Sequence, residues 1–208
     1  MSESVLLVLY LVAIVAEAMT AALAAGRRDM DWVGVSIIAC LTALGGGSVR
    51  DVVLGHYPLT WVKHPEYLWM TAGAALVMAL SAPIMRRLHT VFLWLDALGL
   101  VVFTVIGCQV ALEMKLPVTI VLISGMITGC AGGVLRDILC NDIPLLLRKE
   151  LYGSVSMLTG GLYIGAQSLG IEVHQAIAVA MVAGFLLRML ALRFNWQMPK
   201  FVYRDEWR

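Results

Sequence analysis

Charged side chains are scarce in this sequence. Asp, Glu, Lys and Arg make up 14% of its 208 residues, whereas soluble domains carry about 25%. Hydrophobic residues make up 61%, more than one small core could bury, which argues against a soluble domain and indicates a multi-pass membrane protein. The net charge of +1 leaves no basic surface of the kind that binds nucleic acid.

The patterns of catalytic and metal sites are also missing. The four cysteines lie in apolar stretches and form no CxxC pair, which is typical of small packing residues. No His or Cys spacing predicts a metal site, and no nucleophile stands beside a base. The glycine run at 45–47 lacks the preceding strand and the GxGxxG spacing of a dinucleotide loop. We therefore expect neither an enzyme nor a resident cofactor or metal.

Seven apolar stretches are long enough, or nearly so, to cross a bilayer as helices, which takes about 20 residues. They cover residues 5–26, 32–49, 67–85, 90–112, 116–135, 151–171 and 173–192. The first stretch has no basic residues before it and is longer than a signal-peptide core, so it predicts a retained helix. The connections are short, and the polar, aromatic tail at 195–208 is expected at the membrane interface.

The distribution of Lys and Arg predicts the orientation. Seven crossings place the termini on opposite sides of the membrane. Only Lys63 and Lys115 fall on the N-terminal side, whereas eleven basic residues fall on the C-terminal side. Basic residues collect in the cytoplasm, so we predict an inner (plasma) membrane protein with its N-terminus outside and its C-terminus inside.

One segment of the chain occurs twice, 86 residues apart. LGGGSVRD at 44–51 aligns with CAGGVLRD at 130–137, and Pro58 aligns with Pro144 at the same offset. Three crossings separate the copies, so the second enters the membrane from the opposite face. The predicted fold is an all-α membrane protein of seven transmembrane helices in a single domain. It comprises two inverted three-helix repeats, about 4–88 and 89–171, a seventh helix at about 173–194 and a tail at 195–208.

The repeated glycines allow two interpretations. Small residues recur at every fourth position, a pattern that lets helices pack closely; they are Ala39, Ala43 and Gly47 in the first copy and Gly125, Gly129 and Gly133 in the second. Adjacent glycines also weaken a helix by roughly 1 kcal/mol each relative to Ala. Weakened helices at matching positions of two halves point to a transport path, which packing alone does not explain.

Two Arg-Asp pairs follow these glycines, Arg50-Asp51 in the first repeat and Arg136-Asp137 in the second. Sequence neighbours on a helix do not face each other, so we expect each Arg to find its carboxylate on another helix. Glu17 and Asp96, the remaining carboxylates inside the predicted spans, are candidate partners of Arg136 and supporting charges. The alternative is that the pairs lie near span ends and reach the interface.

This combination resembles the prokaryotic branch of the trimeric intracellular cation (TRIC) channels, also catalogued under a glycine transporter label. The resemblance rests on the paired GG-x-x-RD copies at 46–51 and 132–137 and covers residues 5–195. It implies a homotrimer with a pore inside each protomer, passage of K⁺ and Na⁺, and kinks in the second and fifth helices at the glycines. The lysine-containing glycine motif of animal members is absent, so their lipid regulation is not implied.

The residues by themselves predict a polar path between two inverted halves and leave three functions open. The first is a passive cation channel in which backbone carbonyls and side-chain oxygens replace the water around the ion. The second is a secondary transporter of a small solute such as glycine, and the third is a non-transporting scaffold. The candidate path residues are Thr42, Gly45, Gly46, Gly47, Ser48, Arg50, Asp51, Thr128, Gly132, Gly133, Arg136 and Asp137. Permeant K⁺ or Na⁺ and the lipid bilayer are the expected partners beside the trimer.

Overall fold

The computed structural model describes residues 2–84, 87–147 and 151–196. Within these ranges the chain forms eight α-helices, α1 Ser2–Gly26, α2 Trp32–Leu54, α3 Thr60–Lys63, α4 Glu66–Ser81, α5 Leu88–Glu113, α6 Val118–Leu139, α7 Tyr152–Ser168 and α8 Val173–Arg193. Single 3-10 turns, Ala82–Ile84 and Leu145–Leu147, follow α4 and α6. Most of the predicted interfacial tail, residues 197–208, lies outside the described residues.

Five of these helices are long and apolar enough to cross a membrane: α1, α2, α5, α6 and α8. The helices α4 and α7 are shorter, with 16 and 17 residues. A helix of 16 residues is about 24 Å long, less than the ~30 Å of a hydrocarbon core. The predicted third and sixth spans therefore extend past the C-terminal ends of α4 and α7. A 3-10 turn follows α4, and Gly170, which has a left-handed backbone, comes shortly after α7.

The second and fifth predicted spans are, by contrast, too short. They were expected to end before the Arg-Asp pairs, but α2 continues to Leu54 and α6 to Leu139. A left-handed residue follows each helix: Gly55 at φ 69° comes directly after α2, and Asn141 at φ 54° comes two residues after the end of α6. The next N–H groups, of His56 and Asp142, donate to Asp51 O and Asp137 O at 2.8 Å. Both Arg-Asp pairs consequently lie in the last turns of intact helices.

Equivalent helices and loops of the two halves are separated by the same number of residues along the chain. Counterpart helices begin 86 residues apart: Ser2 and Leu88, Trp32 and Val118, Glu66 and Tyr152. The left-handed residues obey the same offset, since Asp29 (φ 53°) matches Lys115 (φ 57°) and Gly55 matches Asn141. The sequence repeat is therefore a structural repeat without an insertion or a deletion between these points.

The helices α2 and α6 cross in the middle of the bundle. Helix α1 packs on α2 and α4, and α5 packs in the same way on α6 and α7. The α8 helix packs on α7 and α5 and has no counterpart in the first half. The apolar core lies mainly between α1, α2, α4 and α5. The two halves meet where α2 contacts α6, and Gly46 and Gly132 lie at this contact.

Candidate functional site

The crossing of α2 and α6 depends on two of the five candidate glycines. A Cβ on Gly46 would overlap the carbonyl oxygen of Thr128, and a Cβ on Gly132 would overlap the carbonyl oxygen of Thr42. The two contacts are reciprocal at the offset of 86, as for two copies related by a two-fold axis. Only glycine lets the two backbones approach this closely.

The other glycines have different surroundings. A Cβ on Gly45 would lie 2.5 Å from a Leu135 methyl carbon, which is a flexible side chain. A Cβ on Gly47 would lie 3.7 Å from Arg50 Nη2, an ordinary contact, and one on Gly133 would lie 3.3 Å from Tyr152 Oη. Helices α2 and α6 run through all of these positions as uninterrupted α-helix. The expectation of broken helices is therefore wrong; a bend within a continuous helix stays a prediction.

The hydroxyl groups near the crossing are bonded to their own helices. Thr42 Oγ1 donates to Ile38 O and Thr128 Oγ1 donates to Ser124 O, both at 2.7 Å. Ser48 Oγ donates to Leu44 O at 2.7 Å and accepts a hydrogen bond from Trp61 Nε1 at 3.1 Å. Each threonine oxygen can still accept a hydrogen bond, but its hydroxyl proton is already donated to a backbone carbonyl.

The first arginine site contradicts the expected pairing between helices. Arg50 donates from Nε and Nη2 to Oδ1 of its neighbour Asp51, at 2.9 and 2.7 Å. The arginine side chain is long enough to fold back over the last turn, although the two Cβ atoms point apart. His56 Nδ1 lies 3.0 Å from the same oxygen, and Thr60 Oγ1 donates to Asp51 Oδ2 at 3.5 Å. This pair is buried, with Asp51 at 0% exposure.

A narrow cleft lies beside this first site. It is lined by Tyr10, Gly47, Ser48, Arg50, Trp61 and Phe103, and Thr128 reaches it from the other repeat. The space open to the centres of water molecules is about 10 Å³, which is room for about one water. The cleft therefore brings four of the predicted path residues together around this small space.

The second arginine site is richer in carboxylates. Arg136 Nη1 donates to Asp96 Oδ1 at 2.9 Å and to Thr20 Oγ1 at 3.0 Å, and it lies 3.7 Å from Glu17 Oε2. Its Nε donates to Asp137 Oδ1 at 2.9 Å. The predicted partnership with Asp96 and Glu17 is thus found, and the pairing with the neighbouring Asp137 was not expected.

The repeat offset shows why the two arginine sites differ. The first repeat has Tyr10 where the second has Asp96. The second repeat has Phe103 where the first has Glu17. Arg50 is therefore compensated by one carboxylate, whereas three carboxylates surround Arg136 within 4 Å. Equivalent backbone positions therefore hold one carboxyl group beside Arg50 and three beside Arg136.

A polar cavity of about 260 Å³ opens beside the second site. Arg27, His89, Asp137 and Asp142 line it together with Phe92. Two guanidinium groups lie over the Phe92 ring, with Arg27 Cζ 5.0 Å and Arg136 Cζ 4.7 Å from its centroid. Asp137 Oδ1 accepts the bond from Arg136, while its Oδ2 accepts one from Leu145 N at 2.9 Å. Asp137 is thus the link between the cavity and the buried cluster.

Several members of these sites carried no strong sequence signal. Thr20 could have been found, because it lies three residues after Glu17 and so on the same helix face. Tyr152 donates to Asp96 Oδ1 at 3.3 Å and Phe92 covers Arg136. Both look like ordinary aromatic residues near span ends in the sequence, where interfacial aromatics are common.

Comparison with known proteins identifies the relatives of this arrangement. Residues 7–83 and 93–168 match the family model described as glycine transporter. The chain is 36% identical to a UPF0126 membrane protein of Vibrio cholerae, over 88% of this chain and 77% of that protein. It is 34% identical to the UPF0126 inner membrane protein YadS of Escherichia coli, over 92% of this chain and 93% of that protein.

Solved structures give the same relationship. A TRIC trimeric intracellular cation channel orthologue from Rhodobacter sphaeroides is 32% identical, with a TM-score of 0.89 over 92% of this chain and 99% of that one. The chain belongs to the TRIC channel family. A second TRIC structure, described as the structural basis for conductance through TRIC cation channels, is 31% identical, with a TM-score of 0.86 over 95% and 98% of the two chains.

Membership of the TRIC family confirms the resemblance seen in the paired GG-x-x-RD motifs. It also makes the chain a helical, multi-pass inner membrane protein. The descriptions of its relatives name two kinds of solute, glycine in the family model and cations in the solved structures. The charged groups and cavities of this TRIC family member bear on which of the two it carries.

Proposed function

We propose that this chain is a passive channel for monovalent cations, K⁺ and Na⁺, with a conduction path inside each protomer along the crossing of α2 and α6. One observation carries the proposal. Three carboxylates, Glu17, Asp96 and Asp137, lie buried around Arg136 inside the bundle, next to a polar cavity that Asp137 lines. Carboxyl oxygens beside a polar cavity can replace water around a cation, and each of these groups that is ionised in excess of the neighbouring guanidinium groups repels anions.

The proposed path runs from the cavity at Asp137 past the crossing to the cleft at Arg50. Gly47 and Gly133 lie on either side of the crossing, where their missing side chains leave room next to each arginine. The cleft has room for about one water, so this conformation is closed. Conduction requires the side chains around the cleft, such as Trp61 and Phe103, to move apart.

The membrane layout proposed here has seven crossings, with α4 and α7 as the two short ones. The two repeats, about 4–88 and 89–171, are inverted relative to each other, because an odd number of crossings separates their equivalent points. The reciprocal contacts of Gly46 and Gly132 support a two-fold relation between them. The excess of Lys and Arg on the C-terminal side supports a cytoplasmic C-terminus. The trimeric TRIC relative supports a homotrimer.

Secondary transport of a small solute such as glycine is the second candidate. The description of the family model and the inverted repeats favour it. A transporter of this kind binds its solute near the repeat interface at the bilayer midplane. The crossing is closed by backbone contact at Gly46 and Gly132, and this closure bears on the channel and the transporter alike. We prefer the channel because three buried carboxyl groups lie beside the polar cavity.

Flux measurements on proteoliposomes separate the two functions. A channel releases K⁺ from loaded vesicles down its gradient, at a rate that rises with concentration and needs no second solute. A transporter takes up labelled glycine with saturation and needs an ion gradient. Saturable, ion-coupled glycine uptake without K⁺ leak contradicts the channel. A reporter fused to the C-terminus tests the orientation, since activity in the periplasm contradicts it.

A further inference from the structure

The cluster around Arg136 holds more negative than positive groups in a closed environment. Glu17 is 2% exposed, Asp96 0%, Asp137 6% and Arg136 0%. The cost of burying a charge is several kcal/mol unless it is compensated. A single guanidinium makes ion-pair contacts with all three carboxylates, so full ionisation of the three would leave uncompensated charge inside the bundle.

The hydrogen bonds show which carboxylates are undercompensated. Both oxygens of Asp137 have a donor, Arg136 Nε and Leu145 N. Asp96 Oδ1 has donors, but its Oδ2 is buried with no hydrogen-bond partner among the described residues. Glu17 Oε2 accepts from Thr20 at 3.1 Å and lies 3.7 Å from Arg136 Nη1, beyond hydrogen-bond distance. Among the described residues Asp96 Oδ2 therefore lacks a donor, while Arg136 Nη2 is buried without an acceptor, so the guanidinium does not satisfy this oxygen. The donor to Glu17 Oε2 is the neutral hydroxyl of Thr20.

The other elements packed here do not supply the missing charge. Helix α7 contributes the neutral Tyr152. Helix α8 contributes Arg188, whose guanidinium lies over the Tyr152 ring at 4.7 Å. The Arg27 guanidinium lies over the Phe92 ring, 5.0 Å from its centroid, and α6 adds the thiol of Cys130. With Arg188 counted, three carboxylates still face two guanidinium groups, which is an imbalance of one.

We propose that Glu17 and Asp96 share one exchangeable proton, which makes this pair a proton-binding site. Two neighbouring carboxyl groups in a low-dielectric site rarely ionise together. The packing excludes a hydrated metal ion at Glu17, because its carboxyl group lies against the α5 backbone and a Cβ on Gly99 would overlap it. The polar cavity at Asp137 is the route by which a proton from water reaches the pair.

The proton sets the charge of the cluster. With the proton bound, two carboxylates remain to balance the guanidinium groups of Arg136 and Arg188; after its release the cluster carries one more negative charge. The consequence for conduction rests on the proposed function. If the chain is a channel, a rise in pH on the side of the Asp137 cavity increases cation conductance. Glu17→Gln, which carries no titratable proton, removes that pH dependence.

Infrared difference spectroscopy of the purified protein tests the site without any current. The carbonyl band of a protonated carboxylic acid should be present in the wild type at about pH 6 and lost by about pH 10, above the range known for buried carboxyl groups. Glu17→Gln or Asp96→Asn should remove or shift this band. Glu113→Gln is the matched control, because Glu113 is an exposed carboxylate that bonds Gln109 at 2.8 Å, and it should leave the band unchanged.

Two results overturn the proton site. One is the absence of a protonated carboxyl band in the wild type at every pH tested. A thermal stability that rises with K⁺ or Na⁺ would then indicate that a bound metal ion balances the charge. The other is a band that Glu17→Gln and Asp96→Asn both leave in place. A protein that shows the band and its loss in the variants, but carries no current, retains the proton site and contradicts only the channel.

Discussion

Gly46 of α2 and Gly132 of α6 lie against each other's helix backbone at equivalent positions of the two repeats. A Cβ on either residue would overlap a carbonyl oxygen, that of Thr128 for Gly46 and that of Thr42 for Gly132. A Cβ on Gly46 would also lie 3.3 Å from Gly132 N. Backbone atoms cannot rotate away as a side chain can, so this pair fixes the distance between the two halves.

Gly46→Ala and Gly132→Ala should therefore destabilise the protein. Overpacking of a close contact costs about 1–3 kcal/mol. We expect the upper part of this range, because the overlapped atoms are backbone oxygens, and that cost exceeds the gain of up to about 1 kcal/mol from replacing a helical glycine by alanine. The expected result is a lower midpoint of thermal unfolding in detergent and a lower yield of assembled protein. Gly73→Ala is the control, because nothing lies within 4 Å of its Cβ position. Equal midpoints for all three variants would show that the crossing is loose.

Gly47→Ala and Gly133→Ala should behave differently. Neither Cβ would meet backbone, since the nearest atoms are Arg50 Nη2 at 3.7 Å and Tyr152 Oη at 3.3 Å. The proteins should fold and assemble, but the added methyl groups narrow the proposed path beside each arginine. We expect a lower unitary conductance or open probability than in the wild type, and a stronger effect in the double variant. Variants that conduct like the wild type would remove both glycines from the path.

The two arginines should differ in their contribution to stability. Arg136→Gln leaves Glu17, Asp96 and Asp137 without their common guanidinium, and breaking a buried pair of this kind costs about 3–5 kcal/mol. Arg50→Gln leaves Asp51 with His56 and Thr60 still at its oxygens, so the loss should be smaller. Thermal unfolding of the two variants in one detergent compares them. The opposite order of stability would contradict the charge asymmetry between the sites.

The sequence was sufficient to predict the repeat, because one offset of 86 residues relates helices and left-handed loop residues alike. The prediction that each Arg pairs only with another helix was wrong, because it considered only the directions of the Cβ atoms. An arginine side chain is long enough to fold back onto the neighbouring Asp. It did not distinguish Gly46 from Gly47, because the register of α2 against α6 is a tertiary property. The cluster at Arg136 was only partly predictable, since Tyr152 and Phe92 join it through packing.

Charge removal should alter selectivity at one site more than at the other. Asp51→Asn leaves Arg50 without a carboxylate, so its positive charge then faces the narrow cleft. Asp137→Asn leaves Arg136 with Asp96 and Glu17. We expect the preference for K⁺ over Cl⁻, measured as the reversal potential in a KCl gradient, to fall more for Asp51→Asn. If both variants keep the wild-type reversal potential and lose only yield, the carboxylates have a structural role alone.

Recording from the purified protein in planar bilayers tests the central claim most directly. With unequal KCl on the two sides, a cation path inside each protomer predicts discrete, ohmic currents that reverse near the K⁺ equilibrium potential. The same preparation of the double variant Gly47→Ala, Gly133→Ala should insert equally and carry smaller currents. Assembled wild-type protein that carries no current, or currents that reverse near the Cl⁻ equilibrium potential, would contradict the account.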